Sequence, residues 1–143
     1  TLLLAIMAIE SSFNPFAQSS MGAQGLMQVR TEVHTEKYDN YGGNFAAFDP
    51  VANLRVGALV LREAIDRNGG LEPGLRQYVG AGNSGEDGGY VGKVLAEQQR
   101  LQDIANGKPV SITATKTPAE VALTEVSGKT NNFSPLNEST TSP

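Results

Sequence analysis

Residues 2–29, LLLAIMAIESSFNPFAQSSMGAQGLMQV, decide how the chain folds. Leu2 to about Phe13 is apolar on nearly every face, the pattern of a buried helix rather than an amphipathic one. Asn14-Pro15 ends it, because the residue before a proline is pushed out of the helical region. Residues 15–30 then read as a polar loop punctuated by Gly22 and Gly25. One carboxylate, Glu10, stands at the junction. Burial and the negative end of the helix dipole both push such a group toward its neutral form, which is what a general acid needs. Around it the loop supplies Ser11, Ser12, Asn14, Ser19, Gln24 and Gln28, neutral donors and acceptors suited to the hydroxyl and acetamido groups of a sugar. Position alone fits a solvated helix end better, and polar side chains are the ordinary content of a loop.

Outward from this stretch, 31–48 mixes aromatics with turn formers and is read as short helix and loop. FDPVANLRVGALVLREAIDRNGG, residues 48–70, is the best-marked helix. Asp49 is placed to cap it, Pro50 fits its first position, and Gly69-Gly70 stops it. Leu54, Ala58, Leu61 and Ile65 recur on one helical face, and Glu63 and Arg67 are spaced as a surface ion pair. A short helix is predicted over Pro73–Val79, a glycine-rich loop over 80–89, and a last helix over about Gly89–Ala105. The expected fold is mainly α, a single domain over 1–105, with no strand pair. Residues 106–143 are rich in Thr, Ser, Pro and Asn and are read as a flexible tail. Asn132 and Asn137 there match glycosylation triplets, the chance product of a Ser/Thr-rich composition.

The whole composition narrows the function. The chain has 143 residues, enough for one modest core. Its net charge of −4 argues against broad binding to nucleic acid or anionic lipid. The absence of Cys removes disulfides and thiol catalysis, and a lone His34 cannot make a metal cluster. No apolar run reaches the length of a membrane span. No cofactor and no metal are expected. The start at Thr1, with neither Met nor a lead-in to the helix, is expected to mark a fragment or processed form lacking an upstream export signal.

The order of residues in the opening stretch adds more than its composition. Glu10, Ser11, Asn14, Pro15, Ala17, Ser19, Gly22, Ala23, Gly25, Leu26, Met27 and Gln28 fall at the spacing of a known signature. It resembles that of the lytic transglycosylases with an SLT (soluble lytic transglycosylase) catalytic domain. FDPVANLRVGALVL resembles the family's Phe-Asp-Pro helix, and LRQYVGAGNSGEDGGYVGKVL its tyrosine-centred third motif and final Tyr-Val helix. The likeness spans about residues 3–104. It implies a mainly α, lysozyme-like fold with a groove. It implies cleavage of the β-1,4 bond between N-acetylmuramic acid and N-acetylglucosamine in peptidoglycan, with a 1,6-anhydro product. By the same resemblance Glu10 is the catalytic acid and base. Ser19, Met27 and Gln28 line the groove as substrate-binding residues, and Tyr78 is placed to hydrogen-bond near the glutamate. Peptidoglycan glycan strands are the implied partner, the periplasm or cell envelope the implied location, and a monomer the expected state. One departure stands out: the family's Asn after that tyrosine is Val79 here.

Other acids are weighed too. Asp49 reads as a helix cap. Glu32, Glu36 and Asp39 lie where one of them could reach the groove, which would make the chain a lysozyme-type hydrolase with two carboxylates. Tyr90 is read as a packing residue first and a groove residue second. A module that grips glycan without cutting it is the remaining alternative, and it has no need of Glu10.

Overall fold

The computed structural model describes residues 1–82 and 86–111. The glycosylation triplets and nearly all of the predicted tail therefore lie outside the described residues. Up to Val110 the chain forms one compact unit and is mainly α. Its helices are α1 (Leu2–Ser11), α2 (Thr35–Tyr38), α3 (Pro50–Asn68), α4 (Leu71–Tyr78) and α5 (Tyr90–Ala105). Short 3-10 turns bracket α2, as the mixed character of 31–48 implies.

α1 ends two residues earlier than the proline predicts. Ser12 (φ 50°) and Phe13 (φ 62°) are both left-handed, and their N–H groups donate back to Ala8 and Met7 carbonyls. Non-glycine residues in this region carry a cost of roughly 1–3 kcal/mol each, so the turn after Glu10 stores strain that its surroundings must hold. Asn14 then closes an Asx turn, its Oδ1 accepting from the Phe16 N–H at 2.9 Å. Ala5, Ile6 and Met7 of α1 are buried as expected, but Leu4 remains 46% exposed. The helix packs chiefly on α5, which covers one side of it and not all.

A strand pair is present where none is expected. β1 (Ala23–Gln24) and β2 (Val29–Arg30) pair antiparallel, with Ala23 opposite Arg30 and Gln24 opposite Val29. Two residues per strand are too few to leave an alternating pattern in the sequence. The pair folds the loop after α1 into a tight hairpin, whose Met27 and Val29 enter the core.

α3 begins as predicted, with Asp49 Oδ1 accepting from the Ala52 N–H at 2.7 Å, and stops at Gly69 (φ 74°). Its buried stripe is displaced from the predicted one. Leu61 is buried, while Leu54, Ala58 and Ile65 are only half-buried; the most covered positions include Asn53 and Gly57. Neither carries a large apolar group, so hydropathy does not reveal them. Both face the hairpin: a methyl on Gly57 would lie 2.6 Å from Met27 Cβ. α4 starts two residues before the predicted Pro73, which its first turn tolerates. It packs closely on α3 through Gly74, where a Cβ would lie 2.6 Å from Ile65 Cγ1.

Candidate active site

Glu10 lies in the last turn of α1, half-buried against the start of α5. The Tyr90 hydroxyl donates to Glu10 Oε1 at 2.6 Å, across 80 residues of sequence. Tyr90 is the first residue of α5, and Asp87 sets that helix start. The two Asp87 carboxylate oxygens accept from the N–H groups of Gly89 (2.9 Å) and Val91 (3.1 Å), and its carbonyl accepts from the Tyr90 N–H. The Val91 N–H first, and then the Gly89 N–H, lower the Asp87 carboxyl's pKa.

Burial raises the Glu10 pKa above its ordinary value, and the Tyr90 hydrogen bond opposes the rise. Tyr90 itself is raised far above an ordinary phenol, first by burial and then by the Glu10 charge, so it is a constant donor. No second carboxylate is among the causes of the Glu10 shift. Glu36 bonds Lys37 at 3.1 Å and Asp49 caps α3, while Glu32 and Asp39 are exposed.

The hairpin beside Glu10 is held from behind by Asn53 of α3, which is fully buried. Its Oδ1 accepts from the Met27 N–H at 2.8 Å. Its Nδ2 donates to the Gln24 carbonyl (2.9 Å) and the Tyr38 hydroxyl (3.1 Å). Burial pushes the Tyr38 phenol up to about 12, so this partner stays neutral. Ser11, next to Glu10, shares its hydroxyl proton between the carbonyls of Leu26 (2.8 Å) and Met7 (3.1 Å), tying α1 to the hairpin. Gly25 (φ 77°) has no space for a side chain, since a Cβ would meet the Ala47 carbonyl and the Asn53 amide.

The residues matched to substrate contacts are placed unevenly. Ser19 is exposed, and its Oγ accepts from the N–H groups of Ala23 (3.0 Å) and Met21 (3.3 Å). Gln28, itself left-handed at φ 47°, donates through Nε2 to the carbonyls of Gly25 (3.0 Å) and Ala17 (3.1 Å). The Met27 side chain is fully buried in the core, away from any surface. Tyr78 donates to the Met27 carbonyl at 2.7 Å rather than to Glu10, although the Glu10 charge is among the causes that raise its pKa, after burial. The direct partner of the glutamate is Tyr90, the tyrosine that the sequence marks for packing. Its 7% exposure fits packing, but its hydroxyl is committed to Glu10. The one signal for it is a tyrosine opening a helix after a glycine-rich loop. Asn53 carries no signal beyond a polar residue in an apolar helix.

Residues 1–105 match the Transglycosylase SLT domain, and the chain belongs to that family and has its lysozyme-like fold. It is 34% identical over 113 residues to the "Transglycosylase" of Enterobacteria phage PRD1, covering 76% of this chain and 40% of that one. It is 35% identical over 120 residues to the "Membrane-bound lytic murein transglycosylase C" of Sodalis glossinidius (strain morsitans), covering 76% of this chain and 33% of the relative. The protein of that name from Serratia proteamaculans (strain 568) is 35% identical over 118 residues, with 75% and 32% covered. The matched region thus spans well under half the length of these relatives. No solved structure matches the chain significantly.

Proposed function

We propose that the chain is a peptidoglycan lytic transglycosylase, with residues 1–105 as its catalytic domain and Glu10 as its single acid and base. The observation that carries this reading is a carboxyl raised by burial, with a permanently protonated phenol on one of its oxygens. Tyr90 occupies Oε1 and leaves the other oxygen to face substrate. Glu10 protonates the leaving glycosidic oxygen while the acetamido oxygen of the muramic residue attacks the anomeric carbon. As charge develops on the carboxylate, the 2.6 Å Tyr90 bond strengthens, which is where a donor aids the rate. The C6 hydroxyl then attacks the same carbon, displaces the acetamido oxygen and gives its proton to Glu10. The enzyme is restored, no water is consumed, and the product ends in a 1,6-anhydro sugar.

A hydrolase working by inversion or through a covalent intermediate needs a second carboxylate facing the bond; the causes of the Glu10 shift include none, and Glu36 and Asp49 are committed to other partners. The names of the two membrane-bound lytic murein transglycosylases support murein as substrate and the cell envelope as location. No helix among the described residues is long and apolar enough to cross a membrane. The test is mass spectrometry of digested sacculi. Anhydro-muramic ends are expected from the parent and none from Glu10→Gln. Reducing ends would make the chain a hydrolase, and untouched sacculi a binding module.

A further inference from the structure

The sequence holds two Asn-Gly pairs, Asn68-Gly69 at the end of α3 and Asn106-Gly107 at the end of α5. Such a pair can react with itself. The backbone nitrogen of the glycine, once deprotonated, attacks the carbonyl carbon of the asparagine side chain, and no Cβ on the glycine stands in the way. The bond to the side-chain nitrogen breaks and ammonia leaves. Water then opens the five-membered imide at either carbonyl and gives aspartate or isoaspartate. Two restraints prevent the attack: a side-chain amide that is tied down, and a backbone that cannot turn.

Asn68 has both. It is half-buried, and its Nδ2 donates to the Ala64 carbonyl at 2.7 Å. The N–H groups of Gly69 and Gly70 both donate to the Ile65 carbonyl. α4 begins at Leu71 and packs back on α3 through Gly74, so turning Asn68 means separating two packed helices. Asn106 is held far less. It is exposed, and its side chain takes no hydrogen bond among the described residues. The Gly107 N–H to the Ile104 carbonyl and the Lys108 N–H to the Asp103 carbonyl, each 2.9 Å, hold the turn. Both bonds belong to the last turn of a helix, where opening costs least.

We propose that Asn106 is a site of spontaneous deamidation, the Asn-Gly pair that the fold leaves reactive while it protects the other. Conversion puts a carboxylate at the negative end of α5, which weakens that last turn. The isoaspartyl product also lengthens the backbone by a methylene. Both changes fall between residue 105, where the family match ends, and Val110, the last residue of the compact unit. Tyr90, about 24 Å away at the other end of α5, keeps its bond to Glu10. Deamidation therefore alters the joint that follows the domain and leaves the candidate site as it is.

The test incubates the full chain at mildly alkaline pH, digests samples at acid pH and maps the peptides by mass spectrometry, separating aspartyl from isoaspartyl forms. A short peptide of residues 103–110 sets the unprotected rate. Asn106 is expected to convert at a rate near the peptide's, mostly to isoaspartate, and more than about tenfold faster than Asn68. In urea the two rates should converge, because the protection of Asn68 comes from the fold. Asn106→Gln should remove the change at this position and release anhydro ends at the parent's rate. An Asn106 that stays intact while the peptide converts would overturn the proposal. So would equal rates at Asn68 and Asn106 in the folded chain, or a difference that persists in urea.

Discussion

Glu10 and Tyr90 set opposite demands on one carboxyl. Burial favours its neutral form, while the tyrosine favours its charged form. Removing the hydroxyl in Tyr90→Phe leaves the ring's packing and lets the Glu10 pKa climb further. The alkaline limb of the kcat/KM profile, which follows loss of the acid form, should move to higher pH. The rate on its plateau should fall about ten- to a hundredfold, the worth of a charge-assisted hydrogen bond of about 1.5–3 kcal/mol. A pH profile unchanged in position would remove Tyr90 from the mechanism. The same burial makes Glu10 a stability liability. With its folded pKa raised above the ordinary 4.5, the stability tied to the neutral form is complete below that value and is lost as pH rises through the raised one. Glu10→Gln should therefore melt at a higher temperature than the parent at pH 8 and at the same temperature at pH 4. A gap of equal size at both would mean that ionisation is not its cause. Glu10 is legible in the sequence because one charge ends an apolar run and heads an ordered signature. Its partner is not, because Tyr90 is 80 residues away and a buried tyrosine looks alike whether or not its hydroxyl has a task.

Elements fail to be legible where they depend on other elements. The starts and stops of α3 and α5 come within a residue of their sequence signals because caps and glycines act locally. β1 and β2 are invisible because each is two residues long and their bracing comes from Asn53, on a distant helix. The same cause displaces the buried stripe of α3, which is cut to fit the hairpin at Asn53 and Gly57 rather than to maximise apolar area. Asn53→Ala tests this dependence. It leaves the Met27 N–H, the Gln24 carbonyl and the Tyr38 hydroxyl without their partner, in a region with no water access at Asn53. Stability should drop by about 2–4 kcal/mol, read as a lower urea midpoint with an unchanged slope. Activity per folded molecule should fall too, because the left-handed Gln28 and the strained turn at Ser12 and Phe13 are held by the hairpin that Asn53 anchors. A loss under about 0.5 kcal/mol would mean that the hairpin holds itself, as only a surface substitution should behave.

At the scale of the whole molecule, two helix pairs are joined through the hairpin. α1 packs on α5 and α3 on α4, and the hairpin joins them through Ser11, Asn53 and Tyr78. Glu10 and its partner Tyr90 both lie on the first pair while the hairpin beside them is held from the second, so the candidate site is complete only when the whole unit of Thr1–Val110 is folded. Every group that forms or braces the candidate site lies in this unit: Glu10, Tyr90, Tyr78 and Asn53. The family match ends at residue 105, close to the last residue of α5. The sequence beyond is dominated by Thr, Ser, Pro and Asn and offers little apolar area to any core. A chain ending at Val110 should therefore keep its melting temperature to within about 2 °C, since even 1 kcal/mol would move a domain of this size by about 4–8 °C. Its cleavage of sacculi, measured as anhydro ends released per minute, should match the full chain's. A fall in melting temperature would give residues past Val110 a share in the core, and a loss of activity with the melting temperature kept would give them a share in gripping the wall.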